Sequence, residues 1–183
     1  MKLNLRLVAA GVLAATVLAL PLQVAALPSP GALRPDVRLD DPWGRAVQLS
    51  KFRGMPTLVV YEDKGSAEEN KELKAQLSEL AKGDKYKRLV ALVAVADVSG
   101  YDFWPVRGFV KDAIQVESHK QGTIIYCDWT GSIRRALDLK AKASNVVLYG
   151  RDNRVLFAHS GPMGPEQRAA LIGHLRAEVE GAP

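Results

Sequence analysis

The apolar residues of this chain fall into short unbroken runs separated by helical stripes. Residues 57–61 (TLVVY) form a compact β-rich run. Residues 66–82 follow, with Leu73, Leu77, Leu80 and Ala81 at the i, i+4, i+7, i+8 spacing of an amphipathic helix that Gly83 ends. Residues 89–96 (LVALVAVA) are apolar throughout, the pattern of a strand buried on both faces. Residues 106–121 place Val110, Ala113 and Ile114 on one helical face, closed by Gly122, and 123–127 read as another strand. A turn at 128–131 leads to a short helical segment at 133–137. Residues 145–149 and 154–159 flank Arg151-Asp152-Asn153, a tight hairpin in which asparagine accepts positive φ. The last helix begins with Pro165 in its first turn and shows Leu171, Ile172, Leu175 and Val179 along one face. The order β-α-β-α-β, then a hairpin and a closing helix, predicts an α/β fold: a central mixed sheet with helices on both faces. The helical connections make the first strands parallel, and the hairpin adds antiparallel ones.

The start of the chain does not fit this alternation. Lys2 and Arg6 precede an uncharged apolar run at 7–20, and Val24-Ala25-Ala26 supplies small residues suited to cleavage. Residues 1–26 therefore read as a secretory signal peptide. A retained anchor is the rival, but the run is short for a bilayer span of about 20 residues. Residues 27–36, with Pro28, Pro30 and Pro35, read as a linker, and 37–183 as one domain. Cleavage would leave 157 of the 183 residues, enough for a single core, and places the protein in the periplasm or outside the cell. Contact with a membrane is then expected only through the signal peptide before cleavage.

Composition narrows the chemistry. Loss of Lys2 and Arg6 leaves 23 basic against 20 acidic residues, a mild excess scattered among acidic neighbours, and nucleic acid is not an expected partner. The exported compartment is oxidising, yet Cys127 is the sole cysteine, so no internal disulfide is possible. His119, His159 and His174 are far apart and lack metal-ligand spacing. Neither a metal nor a cofactor is expected.

Residues 41–56 (DPWGRAVQLSKFRGMP) followed by TLVVY resemble the opening of thioredoxin-like redoxin domains of the AhpC/TSA-like superfamily: a short β-hairpin, "L-S", an aromatic, "G-x-P" and the first core strand. Residues 127–131 (CDWTG) and 147–155 (VLYGRDNRV) look like two further signatures of that superfamily. Residues 64–70, 109–120 and 144–161 are similar to segments of the YtfJ-type periplasmic proteins, to which no activity is assigned. The resemblance implies a thioredoxin-like fold and places the redox Cys-x-x-Cys pair at Ser66-Ala67-Glu68-Glu69, where both thiols are missing.

That substitution decides the expected chemistry. A cysteine at such a place works because a helix N-terminus stabilises its thiolate. The helix field contributes at most about 2 kcal/mol, roughly 1.5 pKa units, far too little to ionise an unassisted serine. Neither Lys64 nor any histidine is obviously placed as a base. Ser66 and Glu69 instead read as a capping box, the hydroxyl accepting from a first-turn N–H and Glu69 reaching back to the Ser66 N–H. By count from the Asp152 turn, Ser144 stands where such proteins carry a cis-proline, and an ordinary trans peptide is expected there. Cys127, at the end of an apolar strand beside Asp128, reads as a buried structural thiol; the alternative makes it the catalytic group of a thiol oxidoreductase or peroxidase-like protein. Glu62 and Asp63 follow the first strand, where open sheets bind ligands. With Ser66, Glu69, Trp104 and Arg107 they form a candidate ligand or partner surface, against the plainer reading of a solvated loop. The cluster Tyr101, Phe103, Trp104, Pro105 is either a core plug or an exposed contact patch. The expectation is an exported thioredoxin-fold protein that binds an envelope partner or small molecule without catalysis.

Overall fold

The computed structural model describes residues 27–181, so the expected signal peptide lies outside the described residues. Alternation of apolar runs and stripes gives β1 (Arg38–Asp40), β2 (Ala46–Gln48), β3 (Thr57–Glu62), α1 (Lys71–Ala81), α2 (Asp84–Leu89), β4 (Ala91–Asp97), α3 (Val106–Gln121), β5 (Ile125–Asp128), α4 (Ser132–Ala136), β6 (Asn145–Tyr149), β7 (Val155–Ser160) and α5 (Pro165–Glu180). The seven strands form one sheet in the order β2-β1-β5-β4-β3-β6-β7. β3, β4 and β5 are parallel, while β6, β7, β1 and β2 join antiparallel. This is the mixed α/β sheet expected, with helices on both faces.

The pleat of β3 sorts the core into two layers. Val59 and Tyr61 pack with Val93, Val95, Tyr126, Val147 and Tyr149 under Leu39, Leu49, Ile133, Leu137 and Leu139. Leu58 and Val60 face the other way, against Leu73 of α1 and Leu171 and Leu175 of α5, with Val146 and Leu148. On that same face, Cys127 of β5 packs with Ile114 and Val110 of α3. Gly122 ends α3 at φ +62° and Asn153 turns the β6–β7 hairpin at φ +63°, the left-handed geometry that glycine and asparagine tolerate. Residues 27–36, expected as a linker, lie along the body of the domain. Gly31 N–H donates to Val155 O (2.8 Å), Val155 N–H to Ala32 O (2.9 Å), and Arg34 reaches Thr57 Oγ1 and Asn153 Oδ1, each at 2.6 Å.

Two sequence expectations need correction. The helix expected over 66–82 starts five residues later, at Lys71, because residues 64–70 form consecutive turns. β4 is not buried on both faces: Val93 and Val95 are buried, but Leu92 is 44 % exposed. Leu92 packs into neither the α1/α5 cluster nor the α3 cluster. An apolar run reports hydrophobicity, and packing decides which of its residues are buried.

The contrast is measurable by urea unfolding. Leu148→Ala, which empties space between β6 and the α1/α5 layer, is expected to cost about 3 kcal/mol, whereas Leu92→Ser costs less than about 1 kcal/mol. Equal losses would show that β4 is covered on that face.

Candidate functional site

At the carboxyl end of β3 the chain turns sharply through 63–70 before α1 begins. Asp63 and Ser66 hold this turn together. Ser66 N–H donates to Asp63 Oδ1 (2.8 Å), Asp63 N–H donates to Ser66 Oγ (3.1 Å), and the Ser66 hydroxyl donates to Asp63 Oδ1 (2.8 Å). The reciprocal bonds of a capping box are therefore present, but between Asp63 and Ser66 and in a turn, since α1 starts only at Lys71. This corrects the Ser66–Glu69 pairing expected from sequence. Ser66 is buried, with its donor and acceptor capacity used.

Glu69 reaches elsewhere. Its Oε2 accepts the backbone N–H of Ser144 (3.0 Å), while Ser144 Oγ donates to Glu62 Oε1 (2.7 Å). Asn70 Nδ2 donates to Ser144 Oγ (2.8 Å) and to Gly161 O (3.1 Å), and Asn70 Oδ1 accepts from Met163 N–H (2.8 Å). Lys74, one turn into α1, donates to Glu62 Oε2 (2.6 Å) and Ala67 O (2.5 Å). One fully connected network thus ties the end of β3, the 64–70 turns, the start of β6 and the β7–α5 loop around Ser144. Buried polar groups are tolerated at little cost only when each finds a partner, and here they do. Among the described residues Trp104–Pro105 is the only cis peptide, so the bond preceding Ser144 is trans, as expected.

Of the candidate surface, the structure brings Glu62, Asp63, Ser66 and Glu69 together and leaves Trp104 and Arg107 apart. Arg107 pairs with Asp102 and lies over the Trp129 ring, 4.5 Å from its centroid, while Trp104 is 90 % exposed. The 101–105 aromatics are thus an exposed patch and not a core plug. Asn70, Lys74 and Ser144 are the members that sequence reasoning did not assign to the network. Asn70 stands at the position before α1 where it would be read as a helix cap, yet its side chain makes no capping bond.

Chemically the arrangement is closed. Ser144 is buried, donates through both N–H and O–H to carboxylates, and accepts from Asn70. No hydroxyl here faces solvent with a base behind it, which is what nucleophilic catalysis requires. Cys127 is 2 % exposed beneath α3, and burial, reinforced by the Asp41 carboxylate, pushes its thiol up to about 12 from an ordinary value of 9.0. Its Cα partners across the sheet are Ala96 and Asp40, and Ala96 in turn pairs with Glu62. Cys127 therefore lies two strands, about 10 Å, from the Ser144 network. Among the described residues no group of three or more His, Cys, Asp or Glu side chains could hold a metal ion.

Two outcomes follow. Asn70→Ala strands the buried Met163 N–H and is expected to lower stability by about 2 kcal/mol in urea unfolding, far more than a typical surface change; an unchanged midpoint would show the network to be dispensable. Because the folded state holds the thiol proton more tightly than the unfolded chain does, folding suppresses thiolate below about pH 12. Iodoacetamide labelling of Cys127 at pH 8 should be at least about a hundredfold slower folded than in denaturant, as mass spectrometry would record.

No family model and no curated protein sequence matches the chain. Solved structures do. A protein from Chlorobium tepidum, provisionally named thiol:disulfide interchange protein DsbE, superposes with a TM-score of 0.62 at 19% identity, over 83% of this chain and 99% of that one. Thiol peroxidase from Chromobacterium violaceum gives 0.57 at 14% identity, over 85% and 89%. The exposed lipoprotein thioredoxin Etrx1 from Streptococcus pneumoniae gives 0.50 at 14% identity, over 77% and 98%. At such identities the likeness speaks for architecture alone, and with the strand order above it settles that architecture: this chain has a thioredoxin-like fold.

Proposed function

We propose that this is an exported, redox-inactive member of the thioredoxin fold, acting in the periplasm or envelope by binding a partner or small molecule near the carboxyl end of β3. The observation that carries the reading is the convergence of Glu62 and Glu69 on buried Ser144, in the place where the resemblance puts a thiol pair and its facing proline. A hydrogen-bonded lock occupies the ground that electron exchange would need. The positively charged start, the apolar run at 7–20 and the small residues before Leu27 support export, with residues 1–26 removed as a signal peptide and 37–183 forming the domain. The similarity of residues 64–70, 109–120 and 144–161 to segments of the YtfJ-type periplasmic proteins supports the same location.

A thiol oxidoreductase or peroxidase working through Cys127 is the competing reading, and thiol chemistry in the structural neighbours is its motive. Burial under α3 and a thiol raised to about 12 weigh against it. Insulin reduction and peroxide consumption by the processed protein separate the two. The expected result is turnover indistinguishable from buffer; activity comparable to an authentic redoxin, lost in Cys127→Ser, would overturn the proposal in favour of the thiol enzyme.

A further inference from the structure

The loop between β4 and α3 carries apolar surface that the fold does not use. Trp104 is 90 % exposed, Phe109 72 % and Phe103 57 %, and Tyr101 is also exposed. Val116, two turns beyond Phe109 on α3, continues the stripe into solvent. Isolated exposed apolar residues are ordinary, but several large ones clustered within one loop and the first turns of one helix mark a contact surface.

Charge around the cluster identifies the occupant. Segments 99–112 and 129–142 meet at this end of the sheet through Arg107 on the Trp129 ring. Together they carry Arg107, Lys111, Arg134, Arg135, Lys140 and Lys142 against Asp102, Asp112 and Asp138. Of the other carboxylates at this end, Asp97 pairs with Arg134 (3.9 Å), Glu68 is exposed, and four are held in internal hydrogen bonds. Glu62, Glu69 and Asp63 are engaged by the Ser144 network and Ser66, and Asp128 takes the Tyr61 hydroxyl (3.1 Å) and the Arg134 N–H (3.0 Å). With Arg107 paired to Asp102 and Arg134 to Asp97, this end presents an exposed aromatic tip together with Lys111, Arg135, Lys140 and Lys142, which outnumber Asp112, Asp138 and Glu68. Tryptophan and tyrosine favour the boundary between hydrocarbon and headgroups, and lysine and arginine favour anionic headgroups; a surface that joins both fits a bilayer interface.

We propose that the β4–α3 tip docks the protein peripherally on an anionic phospholipid surface, with Trp104, Phe103 and Phe109 entering the interface and the surrounding cations meeting the headgroups. This departs from the expectation that membrane contact ends with signal-peptide cleavage. It does not rest on the redox-inactive reading, since turnover in the insulin assay would leave it standing.

The test uses the chain beginning at Leu27, which contains every strand and helix of the sheet described above and lacks the apolar run at 7–20. It is mixed with vesicles of equal parts phosphatidylglycerol and phosphatidylcholine, and with phosphatidylcholine vesicles alone. Co-sedimentation and a blue shift of tryptophan emission are expected with the anionic vesicles, weakening in high salt. Trp104→Ser with Phe109→Ser should lower the partition coefficient about tenfold and abolish the blue shift. Both residues are exposed, so near-ultraviolet circular dichroism of the fold's remaining aromatics should be retained. Absence of co-sedimentation at low salt would overturn the proposal, as would binding that the double substitution leaves unchanged. Concentration-dependent self-association, or cross-linking to an envelope protein through position 104 without vesicle binding, would assign the tip to a protein contact and overturn it equally.

Discussion

Two carboxylates converge on one buried serine, and the arrangement of this end of the molecule follows from it. Ser144 offers its N–H to Glu69 and its O–H to Glu62, and neither carboxylate could approach so closely without those donors and without Lys74 to offset the charge. The backbone groups of Gly161 and Met163 are fixed by Asn70 in the same network. Three chain segments distant in sequence, 62–74, Ser144 and 161–163, are therefore held by a handful of polar contacts at the top of an otherwise apolar core. Such a network is unforgiving: each group is inexpensive while paired and costly once its partner is removed.

The same sequestration shapes the surface. Glu62, Asp63, Glu69 and Asp128 near the sheet's carboxyl end are consumed by internal hydrogen bonds, which tilts the charge left at the surface there toward the lysines and arginines. Composition alone gives no hint of this, because it counts charges without saying which are spent inside.

Legibility in the sequence tracked the range of the interactions involved. β6 is bounded where its apolar run is bounded, α3 ends at Gly122, and Asn153 makes the hairpin turn; each is a local signal read by local chemistry. The start of α1 was obscured because Ser66-x-x-Glu69 imitates a capping box, while Leu73, Leu77 and Leu80 fit a helix beginning at 71 as well as one beginning at 66. Leu92 was misread because an unbroken apolar run does not say which of its residues the packing will cover. At the site, Glu62, Ser66 and Glu69 could be placed in one neighbourhood from the strand–turn–helix pattern. Their partner Ser144 lies 75 residues from Glu69 and 82 from Glu62, a separation across which no periodicity carries information.

The Asp63–Ser66 turn has a consequence for any attempt to engineer this scaffold. By postponing α1 to Lys71, it displaces the helix mouth from position 66 by five residues, about 7 Å along a helix axis. The partial positive charge that acidifies a thiol acts only within the first turn. Grafting cysteines onto positions 66 and 69 would thus supply sulfur without the field that makes it nucleophilic: the course of the backbone, and not the side chains alone, sets what a thiol could do at this place.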